Sequence, residues 1–144
     1  MRLWLDAEFN GFKGALISMA LVDDHGREWY EELKCRSPSP WVAENVIPNL
    51  CQVPVTLAVM RQSLSKFLSV YETVHLVADW PQDIQHFCEL LIISPGIRIN
   101  LPPLSMEVRS DLNANGSLIP HNALADARAL RLVGLKQLET RPRK

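Results

Sequence analysis

The sequence predicts one α/β domain in which helices cover a mixed β-sheet. Three apolar segments near the N-terminus, separated by short turn-forming stretches, indicate an antiparallel meander. Further along, a buried strand leads directly into a helix, which is typical of a crossover between parallel strands. The chain has 144 residues, 47% of them apolar and 22% charged, without repeats or an interdomain linker. Residues 1–144 are therefore expected to form a single domain.

The meander is predicted within the first 34 residues. Apolar runs at 2–9 and 15–23 are separated by a turn at 10–14 that contains two glycines, and a third candidate strand at 27–34 follows a second turn at 24–26. Short turns of this composition join neighbouring antiparallel strands. The spacing therefore predicts a three-stranded antiparallel meander.

Helical spacing predicts two helices in the middle of the chain. Val42, Val46 and Ile47 suit a short helix that ends at Pro48, because proline cannot continue a helix. Apolar residues then recur at helical spacing across 56–71, which predicts a second and longer helix.

A strand at 74–78 is predicted to be fully buried, since all but one of its residues are apolar. Pro81 follows closely and suits the first turn of a helix that runs to about Ile93. Residues 94–120 hold most of the remaining Pro, Gly and Asn, so we expect loops there with one edge strand near 104–109.

The formal net charge of −1, from 15 Lys+Arg and 16 Asp+Glu, lacks the basic excess that usually marks a nucleic-acid-binding protein. If four carboxylates were neutralised by cations, 15 basic residues would face the remaining 12 acids. Basic residues also crowd the C-terminal end and would form either a modest basic rim or a solvated helix face and tail. These residues are Arg128, Arg131, Lys136, Arg141, Arg143 and Lys144.

The sequence favours a cytoplasmic protein. Cys35, Cys51 and Cys88 are odd in number and form no close C-x-x-C pair, which indicates reduced packing residues. The N-terminal apolar stretch reaches Asp6 too early for a signal peptide, and no apolar run is long enough for a membrane span. We therefore expect neither export nor membrane insertion.

Asp6 and Glu8 are the first candidate metal ligands. They lie two residues apart on a predicted strand, so their side chains emerge on the same face. Two neighbouring carboxylates repel each other, and a divalent cation with a preference for oxygen ligands relieves that repulsion. The pattern D-x-E is common by chance, but ligand sites in such sheets favour the carboxyl ends of strands.

His121 and Asp126 form the second candidate pair. His121 precedes Asn122, a candidate N-cap for a last helix that runs to about Glu139, and Asp126 lies in the first turns of that helix. The alanines between them allow another element to approach closely. Asp126 could also serve only to complement the positive end of the helix macrodipole.

Together, Asp6-Ala-Glu8-Phe-Asn-Gly11 and His121-x-Ala-x-x-Asp126-Ala resemble the DEDDh (DnaQ-like) 3'-to-5' exonucleases. The resemblance covers nearly the whole chain and is nearest to the small exoribonucleases of the RNase AS type. It implies a ribonuclease H-like fold, with a mixed five-stranded sheet made of the meander plus parallel strands and with helices on both faces. The chain is short for the wider family.

The family pattern also has a middle aspartate that opens a helix after a strand. Asp83 fits this position better than Asp79, because Asp83 falls in the opening turn of the predicted helix. Asp79 occupies a place where many relatives carry Asn, and a strand-end turn or N-cap role is favoured for it over a ligand role.

The resemblance implies that two divalent cations, Mg²⁺ or Mn²⁺, would be held by Asp6, Glu8, Asp83 and Asp126. Glu8 would also take part in catalysis, beside the cation that activates water. His121 would act as general base, since imidazole ordinarily titrates at about pH 6.5. The expected product is a nucleoside 5'-monophosphate.

The expected substrate is the 3' end of single-stranded nucleic acid. The resemblance places Phe9, Asn10 and Gly11 against the terminal nucleotide, favours RNA over DNA and adds a homodimer by analogy. Two alternatives stay open: a DNA exonuclease of the proofreading or repair type, and a catalytically silent binding module on the same fold. Some tryptophans could stack on bases, although aromatic residues on strands are more often core. The four are Trp4, Trp29, Trp41 and Trp80.

Overall fold

The computed structural model of the protein describes residues 1–141 and contains seven strands. Five of them form the main sheet, and the other two form a small hairpin. The strands are β1 (Arg2–Phe9), β2 (Leu16–Asp23), β3 (Glu28–Glu32), β4 (Val74–Ala78), β5 (Ile92–Ser94), β6 (Ile97–Arg98) and β7 (Leu104–Val108).

Four α-helices accompany the strands in the described part of the chain. They are α1 (Pro40–Asn45), α2 (Leu57–Leu68), α3 (Pro81–Leu91) and α4 (Ala123–Thr140), and a 3₁₀ turn spans Ile47–Asn49. No helix within residues 1–141 is long and apolar enough to cross a lipid bilayer.

The main sheet is mixed, with strand order β3-β2-β1-β4-β7. The first three strands form the predicted antiparallel meander. The parallel strands β4 and β7 extend the sheet beyond β1. The predicted α/β class and mixed five-stranded sheet are therefore confirmed, and the arrangement is consistent with a ribonuclease H-like fold.

Helices cover both faces of this sheet because the strands of its centre are apolar on both sides. Odd-numbered residues of β1, such as Leu3 and Leu5, pack with α2 and α3 in the largest core cluster. Even-numbered Trp4 packs on the opposite face with Leu130 of α4. Because side chains alternate along a strand, Asp6 and Glu8 continue the row of Trp4 on the α4 side.

Two predictions for the region after residue 90 differ from the structure. The helix predicted to reach about Ile93 ends at Leu91, and Ile92 begins β5. The region 94–120 also holds β6, which pairs with β5 around a turn where Gly96 has φ 73°. Isoleucines favour this hairpin over another helical turn, because β-branched side chains prefer extended backbone. The predicted edge strand near 104–109 is confirmed as β7.

Candidate metal centre

β1 presents Asp6 and Glu8 toward α4, where their cross-strand neighbours on β2 are small. Asp6 is opposite Ala20 and Glu8 is opposite Ser18. Ser18 is fully buried, and its hydroxyl has no hydrogen-bond partner in the described chain. The pairing register shifts between Glu8 and Phe9, so the bulge begins directly after the second carboxylate. Small neighbours leave room for the two acids between sheet and helix.

The start of α4 brings Asp126 to the same place. Asn122 is the predicted N-cap, and its side-chain oxygen accepts a hydrogen bond of 3.0 Å from the Ala125 N–H. Its amide donates to the Asn49 carbonyl at 2.9 Å, which ties the helix start to the 3₁₀ turn. Ala123 and Ala127 pack directly on β2 and β3 residues. These alanines let α4 approach the sheet closely enough for Asp126 to meet Glu8.

His121 lies in the loop just before α4, half-buried and in the left-handed region with φ 64°. Its backbone N–H donates to Oδ2 of Asp126 at 3.1 Å. Its ring makes an edge-to-face contact with Trp41, with 5.0 Å between ring centroids. The His121 ring and the carboxylates of Glu8 and Asp126 each offer one potential metal-ligand atom. These three atoms lie within 4.8 Å of one another.

The crossover from β4 to α3 supplies two more acids. Asp79 directly follows β4, and Asp83 lies in the first turn of α3, where the sequence places the family's middle aspartate. Oxygens of Asp6, Asp79 and Asp83 lie within 4.8 Å of one another. The structure therefore brings the predicted Asp6, Glu8, Asp83, Asp126 and His121 together in two adjoining groups, and it adds Asp79.

All five carboxyl groups have raised pKa values. Burial is the largest cause for Glu8 and Asp83, and nearby acids add to it, so that the pKa of each rises to about 8. The pKa of Asp6 is raised well above its usual range by burial and then by the charge of Asp83. Burial likewise raises the pKa values of Asp79 and Asp126. Without a cation, the folded protein favours protons on these acids.

The donor set fits a divalent cation. Oδ2 of Asp6 and Oδ1 of Asp126 are buried and have no hydrogen-bond partner among the described residues. Within residues 1–141, no ion pair joins any of the five acids to Lys, Arg or His. Buried carboxylates are normally paired or bound to a metal, and hard cations such as Mg²⁺ and Mn²⁺ take oxygen ligands. Such a cation would supply the missing partners.

The three residues predicted to contact substrate have distinct surroundings. Phe9 is stacked on His86, with 4.8 Å between ring centroids. The amide of Asn10 donates to the Ser37 carbonyl at 2.8 Å and accepts from the Ser39 N–H at 2.8 Å. Asn10 therefore ties β1 to the segment before α1, and Gly11 turns the chain with φ 73°. Their contact with substrate stays a prediction.

The four tryptophans divide into two pairs. Trp4 and Trp29 are buried in the core, as expected for strand residues. Trp41 and Trp80 are 54% and 57% exposed. Trp41 contacts His121, and Trp80 is adjacent to Asp79 in sequence. The contact between Trp41 and His121 cannot be predicted from the sequence, because residues 80 positions apart meet only through the fold.

The basic residues of the C-terminal helix are partly used within the protein. Arg128 forms a bidentate pair with Glu28, at 2.6 and 2.7 Å. Arg131 donates to the Asp24 carbonyl. These two contacts fit a helix face docked on the sheet edge better than a free basic rim, and Arg143 and Lys144 lie outside the described residues.

In comparisons with known proteins, no family model and no curated protein matches this chain.

Proposed function

We propose that this protein is a divalent-metal-dependent 3'-to-5' exonuclease of the DEDDh type that acts on single-stranded nucleic acid, with RNA preferred. The observation that carries the proposal is the convergence of Asp6, Glu8, Asp83, Asp126 and His121, from separate parts of the chain, with buried carboxylate oxygens left unpartnered. A purely structural cluster of acids would pair them with basic side chains or backbone N–H groups.

The acids would hold two cations, Mg²⁺ or Mn²⁺, one at Glu8 and Asp126 and the other at Asp6 and Asp83. When bound, such cations activate a water molecule and stabilise the departing oxyanion in phosphodiester hydrolysis. The carboxylates would release their protons on binding the cations, because each ligand must be ionised.

His121 would take the proton of the attacking water. Its position on a loop, with a ring nitrogen within 4.8 Å of carboxylate oxygens of Glu8 and Asp126, suits a general base. The hydrogen bond from its backbone N–H to Asp126 would hold the loop in place without using the imidazole ring. Water adds to phosphorus, the 3' oxygen of the preceding nucleotide leaves, and the product is a nucleoside 5'-monophosphate.

The surface around the site offers aromatic groups to a nucleotide. Phe9 directly follows Glu8 in the sequence, and the exposed ring of Trp41 contacts His121. Base stacking on aromatic rings tolerates any sequence, which suits an enzyme that removes successive nucleotides. We propose these rings as contacts for the terminal bases.

Cleavage of 5'-labelled RNA and DNA oligonucleotides of one sequence tests the proposal. With Mg²⁺ or Mn²⁺ we expect a ladder that shortens from the 3' end on RNA, and EDTA should abolish it. Asp126→Asn should be inactive, whereas Glu72→Gln, which neutralises an exposed surface acid, should cleave like the parent.

The outcome also separates the alternatives. Cleavage of DNA in preference to RNA would instead indicate a DNA exonuclease of the proofreading or repair type. Binding of either strand without any metal-dependent cleavage would contradict the nuclease and select the silent binding module.

A further inference from the structure

We propose that Asp79 is a ligand of the second cation, so that this site has three carboxylates, Asp6, Asp79 and Asp83. Each of the three offers one oxygen, and the three oxygens lie within 4.8 Å of one another. The inference rests on the proposed function for its place in the reaction. It concerns cation binding, however, and can therefore be tested apart from cleavage.

The register of the parallel strands explains why Asp79 meets Asp6. Leu3 pairs with Leu76, and Trp4 pairs with Val77. The pairing ends there, but continuing the same register by two residues would place Asp6 beside Asp79, which agrees with the distance between their oxygens. Trp4 and Val77 both belong to the cluster that packs under α4. Side chains two residues apart along a strand lie on the same face, so Asp6 and Asp79 share that face. The register of the strands therefore makes Asp6 and Asp79 neighbours.

Asp79 lies in the bend directly after β4, as a strand-end residue would, but it is not the N-cap of α3. The N-cap of α3 is Trp80, Pro81 opens the helix, and no side chain caps it. In the part of the chain that the structure describes, no other residue forms a side-chain hydrogen bond or an ion pair with the Asp79 carboxylate. Apart from its own backbone N–H, this half-buried carboxylate thus has no hydrogen-bond or ion-pair partner among residues 1–141, although it lies against two other acids.

The carboxylate of Asp6 independently indicates that a binding partner is missing. It is only 9% exposed, and its Oδ2 has no hydrogen-bond partner among residues 1–141. A buried oxygen without a partner is costly, and Asp79 and Asp83 add repulsion instead of relief. A divalent cation among the three carboxylates would satisfy all of them at once. A third carboxylate also raises affinity, since the number of charged ligands tunes cation binding.

Titration of the metal-free protein with Mn²⁺, followed by calorimetry, tests this assignment. The parent should bind two Mn²⁺ per chain. Asp79→Asn should weaken one site by about tenfold or more and leave the other unchanged, because it removes one of three charged ligands. Asp126→Asn should weaken the opposite site, and Glu72→Gln should match the parent.

Several outcomes would overturn the assignment. An Asp79→Asn protein with both affinities of the parent would remove Asp79 from the site, even if the enzyme cleaves RNA. No Mn²⁺ binding by the parent would remove both sites. If the parent cleaves no nucleic acid but Asp79→Asn loses one Mn²⁺, the cation site stands and the nuclease proposal fails. Asp79→Ser gives the same comparison should Asp79→Asn not fold.

Discussion

At the scale of single residues, placing five acids in one buried region lowers the free energy of unfolding. Asp6 and Asp126 have unpartnered buried oxygens, and burial raises the pKa values of all five carboxyl groups. Such an arrangement opposes folding unless something offsets it. Sites of this kind commonly trade stability for function.

Asp6→Asn should therefore stabilise the metal-free protein while it reduces the response to metal, because one of the two sites loses a ligand. The free energy of unfolding should rise by about 1–2 kcal/mol, because one repelling carboxyl group is neutralised. In the parent, Mn²⁺ at a hundred times its Kd should add about 2.7 kcal/mol per site. Thermal unfolding with and without Mn²⁺ measures both effects. A metal-free Asp6→Asn protein less stable than the parent, or one that keeps the full Mn²⁺ response, would contradict this account.

His121 should matter for turnover and not for metal retention. Asn is the suitable replacement, since it tolerates the left-handed backbone at φ 64° and keeps the N–H that donates to Asp126. We expect His121→Asn to lower kcat by about 10²- to 10⁴-fold, the usual contribution of a general base. The Mn²⁺-induced rise in Tm should remain.

His25→Asn, at an exposed turn, is the matched control for this change and should leave kcat unchanged. Full activity of His121→Asn would exclude the general-base role.

At the residue scale, the sequence predicts those site residues whose chemistry suits the site and whose spacing is set by local structure. Asp6, Glu8, His121 and Asp126 stand in short motifs whose spacing already fixes their mutual direction. A ligand role for Asp79 is harder to predict, because its proximity to Asp6 depends on the register between β1 and β4.

At the scale of elements, the close approach of α4 to the sheet positions Asp126. Gly134 lies where the helix crosses Trp4, and a Cβ at this glycine would meet the indole carbon Cη2 at 2.0 Å. Both residues are buried, so neither can move aside without disturbing the packing of the helix. Gly134 is thus a packing requirement of the site's supporting helix.

Gly134→Ala should destabilise the protein by about 1–3 kcal/mol, the usual cost of forcing extra atoms into a packed core. Ala is the better helix former, so a gain in stability would be expected if packing did not matter. Urea unfolding measures the change. Gly116→Ala, where an added Cβ meets nothing within 4 Å, is the control. Equal stability of the two variants would contradict the proposed packing.

The elements themselves were predictable where periodicity and turn residues agreed. The meander, β4, the start of α3 and the N-cap of α4 follow such signals. The hairpin of β5 and β6 was missed, because its apolar residues continue the pattern of the preceding helix and only its β-branched composition marks the change.

At the scale of the whole molecule, the acid cluster should give stability an unusual dependence on pH. Ordinary carboxyl groups in the unfolded chain lose their protons at about pH 4, whereas Glu8 and Asp83 in the folded protein hold theirs to about pH 8. The folded state binds more protons between these values, so the free energy of unfolding falls as pH rises.

We therefore expect the Tm of the metal-free protein to fall between pH 6.5 and 8. Below this window, His86 acts in the opposite direction, because burial lowers its pKa. Excess Mn²⁺ should abolish the fall or reverse it, since cations replace the protons. Thermal scans in EDTA at several pH values test this, and Asp6→Asn should have a shallower slope. A Tm that rises with pH in EDTA would contradict the cluster's electrostatics.

Two divalent cations should relieve the repulsion among the clustered acids. Anomalous scattering from crystals soaked in Mn²⁺ measures this directly. We expect two peaks, roughly 3.5–4 Å apart as in other two-metal sites. One should lie between Glu8 and Asp126, and the other among Asp6, Asp79 and Asp83. Strong peaks only elsewhere on the protein, with the five carboxyl groups unliganded, would contradict it.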